Sequence, residues 1–248
     1  MSKFVLSNVR LFAGGADLTT VNNQVQLQAE AESKDTTAFA ASGGVWHEEL
    51  SGIKSTTLTA SGQWEAGDAS KVDDDAFGNF GSVGAISVCP AGAADGALAW
   101  LTQYNRKQYQ LFGQVGDVAP WSWQSMGSWP LVRGAALTGP TTSGATAGTA
   151  GTATQLGAVS SSQHVYIALH VFSVSGTSTP TLTVTVQSDN ASNFPSAATV
   201  TTLTGATAIG SQIVRVAGPI TDDWFRISYA VTGTSPSFLF AVTAGIAV

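Results

Sequence analysis

Thr138-Gly139-Pro140-Thr141-Thr142-Ser143-Gly144-Ala145-Thr146-Ala147-Gly148-Thr149-Ala150-Gly151-Thr152-Ala153-Thr154 contains no charged, aromatic or large aliphatic side chain. Such a run buries too little apolar area to offset the entropy of ordering it, and it reads as a flexible linker. On both sides, apolar and polar residues alternate with the two-residue period of strands. The expected organisation is therefore two β-rich modules on a tether: a first domain over 1–137, a linker over 138–154 and a second domain over 155–248.

Composition narrows the function classes. The chain has 248 residues, enough for a core in each module. Charged residues make up only 10%, against roughly 25% in an average soluble domain. Such a surface belongs either to an uncharged, polar β protein or to one covered by neighbouring subunits. The net charge of −6 argues against tight nucleic-acid binding, which rests on Lys and Arg. Acids concentrate early, with 13 acids and 8 bases in 1–140 against 3 and 2 in 141–248. Cys89 is the single cysteine, so no intramolecular disulfide is available. The start carries no basic region followed by a long apolar stretch, and no window resembles a membrane span, so neither a signal peptide nor a membrane anchor is expected.

Strands are expected wherever the alternation is clean. In 24–32, Val25, Leu27, Ala29 and Ala31 alternate with Gln24, Gln26, Gln28, Glu30 and Glu32. In 54–65, Leu58, Ala60 and Trp64 alternate with Thr57, Thr59, Ser61, Gln63 and Glu65. The long connection 35–52 between them suggests a partner or a job. Acids at 73–75 favour a short helix over 73–80 with Phe77 and Phe80 turned to the core. Further strands are expected at 85–89, 97–105, 108–115 and 121–131, with Asn105-Arg106-Lys107 as a hairpin corner. Beyond the seam, short runs at 164–174, 181–187, 198–203, 212–216, 224–231 and 237–242, separated by Gly and Pro, predict an Ig-like β-sandwich. The fold class is mainly β.

Little in the chain suggests catalysis. His164 and His170 lie six apart on one strand, about 20 Å if extended, and read as structural. His170 with a serine and Asp222 can be drawn as a triad, but serine is abundant and no Gly-x-Ser-x-Gly occurs. Asp73-Asp74-Asp75 fails as a calcium loop, because Phe77 and Gly84 stand where ligands are needed. Asp222-Asp223 reads as an acidic turn, and no phosphate-binding glycine loop is present. Trp121, Trp123 and Trp129 share one strand parity, the pattern of a core or a subunit contact. No catalytic, cofactor-binding or metal-ligating residue is expected, and the chain reads as no enzyme.

A series of short motifs resembles the tail tube proteins (major tail proteins) of long-tailed bacteriophages. In the first module these are Ala16-Asp17-Leu18, Asn23-Gln24-Val25, Asp35-Thr36-Thr37, Gly52-Ile53-Lys54, Gly62-Gln63-Trp64-Glu65-Ala66-Gly67 and Leu131-Val132-Arg133-Gly134. In the second they are Gln187-Ser188-Asp189 and Gly218-Pro219-Ile220-Thr221-Asp222, followed by Trp224-Phe225-Arg226. The resemblance implies two packed antiparallel sheets with a flanking helix in the first module. It implies six-membered rings that stack into a tube around an inner β-barrel, the conduit for genome ejection. The implied partners are further copies of the chain, other tail proteins at the tube ends, and genomic DNA that passes without specific binding. The implied location is the virion tail, assembled in the cytoplasm of the bacterial host.

On this chain the inter-ring reach falls to an arm over 1–20 and to the 35–52 loop with Trp46, His47, Glu48 and Glu49. The lumen falls to Gln24, Gln26, Gln28, Glu30, Glu32, Thr57, Thr59, Ser61, Gln63 and Glu65, because DNA slides best along a polar, preferably negative wall. A tethered outer module would obstruct a sheath, which points to a non-contractile tail. The alternative is a virion decoration or host-surface, glycan-binding protein that uses exposed aromatics of the second module. A secreted hydrolase stands third, without an acid/base pair to support it.

Overall fold

The computed structural model describes residues 5–37, 47–68, 71–144 and 146–248. The elements in chain order are β1 (Arg10–Ala13), β2 (Ala16–Asp17), β3 (Asn22–Asp35), β4 (Glu49–Gln63), α1 (Val72–Gly78), β5 (Val83–Cys89), β6 (Leu98–Leu111), β7 (Pro120–Gly127), β8 (Val132–Thr142), β9 (Ala147–Gln155), β10 (His164–Asp189), β11 (Ala198–Thr202), β12 (Gly210–Ala217) and β13 (Trp224–Ala247). The fold is mainly β, as the alternation predicts, and its strand ladders are antiparallel.

The C-terminal half is organised by two long strands where the turn residues predict short ones. β10 and β13 pair from His164↔Ala247 to Asp189↔Trp224. The four runs expected at 164–174, 181–187, 224–231 and 237–242 are thus two strands, each bent in the middle. The bend needs glycine. Gly176 has φ +119°, and a Cβ there would sit 2.9 Å from the Pro236 Cα; Gly233 has φ +114° and would meet the Pro180 Cα at 3.0 Å. Folded over at this point, the ribbon packs its own halves together. Val165, Ile167, Leu169 and Val171 share one core with Leu182, Val184, Val186, Phe225, Phe238 and Phe240. Each such side chain contributes about 1.5–3 kcal/mol by leaving water.

The seam is not a linker. β8 lies along the second half of β13, from Leu239↔Thr142 to Gly245↔Gly134. β9 lies along the first half, from Trp224↔Gln155 to Ala230↔Ala147. Each leaf of the sandwich gains a strand from the run that looks least able to order itself. The backbone ladder supplies the order, and the small side chains permit close approach. A Cβ on Gly134 would stand 1.9 Å from the Ala244 carbonyl oxygen, and one on Gly151 would stand 2.1 Å from that of Leu137. Leu137 and Ala150 complete the core. The mobile outer module, and with it the argument for a non-contractile tail, loses its premise.

β8 also pairs with β6 from Leu98↔Ala135 to Leu101↔Val132, so one sheet runs from the C-terminal half through β6 and β5 to β1. The first part of β10, 165–172, is therefore buried on both faces. Tyr166 and Ala168 pack with Ala85 and Leu101, and Phe172 packs with Phe12 and Ala241. The expected free arm over 1–20 is largely absent as well: β1 is a sheet strand, with Leu11 and Phe12 fully buried.

Two further expectations are corrected in the first half. The helix turns Val72, Asp75 and Ala76 inward, whereas Phe77 is 74% and Phe80 56% exposed. The buried carboxylate decides this rotation, because Arg106 bonds Asp75 from the sheet below. The Asn105-Arg106-Lys107 corner is also absent. β6 runs straight through it with a bulge between Arg106 and Gln108, which lets Arg106 turn into the core.

Candidate functional site: a polar sheet face

β3, β4, β7 and β6 form a four-stranded sheet in that order. Its register makes transverse rows. Gln24, Ser61, Ser122 and Gln110 form one; Gln26, Thr59, Gln124 and Gln108 form the next; Gln28, Thr57, Met126 and Asn105 form a third. Alternate rows point the other way. Val25, Ala60, Trp123 and Tyr109 form one of these, and with Leu27, Leu58, Trp121 and Leu111 they make the core beneath the sheet. Strand pleating thus converts four alternating sequences into one apolar and one polar face. Trp121 and Trp123 belong to that core.

Six of the expected lumen residues meet on the polar face: Gln24, Gln26, Gln28, Thr57, Thr59 and Ser61. Glu30 continues it opposite Ser55 and accepts a hydrogen bond from the Gln28 amide. Gln63 ends it opposite Pro120. Glu32 sits at a register shift and pairs with Lys34. Glu65 does not share the face; it lies past the end of β4 and binds Lys71 at 2.9 Å. Ser122, Gln124, Gln108, Gln110 and Asn105 were missed. Their signal is the alternation in Trp121-Ser122-Trp123-Gln124 and in Gln108-Tyr109-Gln110-Leu111, which marks strands but not that they pair beside β4. The three rows carry no charge, and the carboxylates gather at one end.

Both edges of this sheet are open among the described residues. β3 pairs with β4 alone, and beyond Arg106 β6 pairs only with β7. From Ala29 onward every residue of β3 is exposed, so β3 and β4 leave the body as a two-stranded ribbon. The expected 35–52 connection is shorter than predicted, because the ribbon pairs out to Asp35↔Glu49. His47 stands between Asp35, at 3.1 Å from Nε2, and Glu49, at 3.3 Å from Nδ1. Hydrogen bonds from Thr37 and His47 hold the Asp35 carboxyl below its usual range. Glu48 donates its N–H to the Thr37 hydroxyl at 2.9 Å. Trp46 lies outside the described residues.

The buried titratable groups are structural. His170 is fully buried, with Nδ1 2.9 Å from the Gly14 carbonyl oxygen and Nε2 2.9 Å from Ser87 Oγ. The carbonyl can only accept, so Nδ1 carries the proton and Ser87 donates to Nε2. Thr243 Oγ1 adjoins Ser87 Oγ at 2.7 Å. A Ser–His pair therefore exists, sealed from solvent, with a carbonyl where a triad has its acid. Burial lowers the His170 pKa to about 4. Asp222 instead accepts from Ser188 at 2.7 Å. Burial also pushes the Asp75 carboxyl up to about 6, against the pull of Arg106. Arg106 Nε in turn donates to the Tyr104 hydroxyl at 2.8 Å. Among the described residues, no three metal-ligating side chains converge.

No protein-family model and no curated protein matches the chain. Solved structures similar to it include a chain of the virion of a native gene transfer agent particle, at 18% identity and a TM-score of 0.44 over 54% of this chain and 100% of that one. Another is from the tail of an empty gene transfer agent particle with C6 symmetry, at 18% identity and a TM-score of 0.42 over 52% and 97%. A third is the SPP1 Dit protein, described as a hub adsorption protein of phages that infect Gram-positive bacteria, at 13% identity and a TM-score of 0.34 over 97% and 99%.

Proposed function

We propose that this chain is a structural protein of a bacteriophage tail, in which the β3–β4–β7–β6 sheets of adjacent copies join edge to edge and their polar faces line a conduit for the genome. The observation that carries this reading is an uncharged polar face on a sheet with two open edges. An open edge is an aggregation hazard unless something pairs with it. Here the two edges are different strands, so pairing β3 of one copy with β6 of the next is heterologous and closes into a ring when the rotation permits. The sheet alternates direction across four strands, so that junction is antiparallel like every other ladder. Six copies per ring and stacking of rings follow from the resemblance to tail tube proteins. So do other tail proteins at the tube ends and a place in the virion after assembly in the host cytoplasm.

The face also suits passage. Gln, Ser, Thr and Asn give phosphates only neutral hydrogen bonds, and no Lys or Arg in the three rows releases counterions. DNA meets no deep minimum along such a wall. The glycan-binding alternative lacks support, since no aromatic of 155–248 is among the exposed large apolar side chains. Negative-stain microscopy of the purified protein tests the proposal: rings or tubes with a central channel are expected, and persistent monomers would overturn it. A Gln26→Lys, Gln124→Lys variant is expected to assemble and to retain DNA that the parent releases.

A further inference from the structure

The polar sheet has an apolar projection at one end and an unfinished core at the other. Between β6 and β7 the chain makes an eight-residue loop over 112–119. Val115 stands at its tip, fully exposed, and Phe112 and Val118 flank it at 64% and 70% exposure. The loop is ordered. The Asp117 N–H bonds the Gln114 carbonyl at 3.3 Å, the Trp64 N–H bonds that of Ala119 at 2.8 Å, and the Phe112 ring stands edge-on to Trp64 at 5.7 Å. At the far end of β7, about 25 Å away for eight extended residues, the core-facing row of the ribbon outruns its cover. Ala29 and Thr56 are opposite each other, as are Ala31 and Lys54, in the parity of Leu27 and Leu58. Together with Glu30, Ser128, Trp129 and Leu131 they line a notch of about 550 Å³.

We propose that the occupant of this notch is a second copy of the chain, whose Val115 loop inserts beside Trp129. Three observations favour that occupant. The loop is the right shape, a narrow turn with an apolar tip. Its charge finds a partner: Asp117 lies two residues from the tip, and Lys54 lines the notch together with Glu30, whose carboxylate is occupied by the Gln28 amide; neither Asp117 nor Lys54 makes an ion pair within its own chain among the described residues. The two surfaces also sit at opposite ends of the same strands, so one contact repeats head to tail without exhausting itself. This inference rests on the reading of the chain as a self-assembling tail protein, and adds the axial contact to the lateral one.

Cysteine pairing tests it. Cys89 is buried, so a Val115→Cys chain mixed with a Ser128→Cys chain is expected to give a disulfide-linked pair on oxidation, absent from either chain alone. No cross-link, or the same cross-link in each chain alone, would overturn the proposal. In microscopy, Val115→Asp is expected to leave single rings in place of tubes. Asp117→Lys and Lys54→Asp are each expected to do the same, and their combination to restore tubes. Tubes of undiminished length from Val115→Asp would sink the axial contact while leaving the lateral ring standing. A parent protein that forms neither rings nor tubes sinks both.

Discussion

The C-terminal sandwich and the polar sheet are built from the same antiparallel pairing, yet one is finished and the other is not. In the sandwich, the β10–β13 ribbon folds over itself, β8 and β9 extend its leaves, and the inner faces close on a single core. In the β3–β4–β7–β6 sheet, one face packs, the other stays polar, β3 and the part of β6 beyond Arg106 are unpaired at the edges among the described residues, and a ribbon runs out beyond its core. On the proposed reading, stability lies in the closed cores and assembly in the open surfaces. Damage to a core should unfold the protomer, and damage to the polar face, free edges or ribbon should leave a folded protomer that does not assemble.

The largest effects should follow from opening closed cores. Phe240→Ala in the sandwich is expected to cost about 3–5 kcal/mol in denaturant unfolding. Asp75→Ala is expected to cost a similar amount, about 3–5 kcal/mol, because it leaves Arg106 buried without its partner. A loss below ~1 kcal/mol at either site would break the distinction between the regions.

The pH dependence is next in size and carries two signs. His170 has a folded pKa of about 4, below its usual 6.5, so its contribution is present above pH 6.5 and is lost as pH falls towards 4. The loss is about 3 kcal/mol at ~1.4 kcal/mol per unit. Asp75 acts oppositely. Its folded pKa of about 6 lies above the usual 3.8, so between those values the folded chain holds a proton that the unfolded chain has released. Its contribution therefore falls as pH rises through that window. Unfolding measured against pH should show a stability gap between parent and His170→Gln that narrows on acidification, and one between parent and Asp75→Asn that narrows as pH rises from 4 to 6. Gaps that stay constant would remove both groups from the pH response.

On the open side, Ile53→Ser in the ribbon, where Ile53 is 79% exposed, is expected to change protomer stability by less than ~0.5 kcal/mol and, on the reading that the ribbon makes the inter-ring reach implied by the resemblance, to shorten tubes in microscopy. The smallest expected effect is none at all. Protease should not cut within 138–142 or 147–154, because those residues belong to β8 and β9; ready cleavage there would restore the tether.

Much of this contrast was legible in the residues. Alternation located β3 and β4 and the polar face they share, because a half-buried strand writes its two faces in alternate letters. Three features were not legible, each because a distant partner overrides a local preference. The Gly/Ala/Thr run looks unable to order itself until Gly139 and Gly151 are seen pressed against backbone. Arg106-Lys107 looks like a turn until Asp75 is seen to draw Arg106 inward. Pro180 and Pro236 look like strand ends, whereas they mark where two continuous strands bend. Of the polar face, the β3 and β4 half is readable from alternation, and the β7 and β6 half is not, because alternation does not say which strands pair.

Ala135 lies between Leu98 of β6 and Ala244 of β13, so β8 is paired along both sides. A tug on the C-terminal half would be carried as shear through rows of amide bonds and not taken up by a swivel. If copies of this chain form a tube, anything that grips its outside is mechanically stiffly joined to its bore.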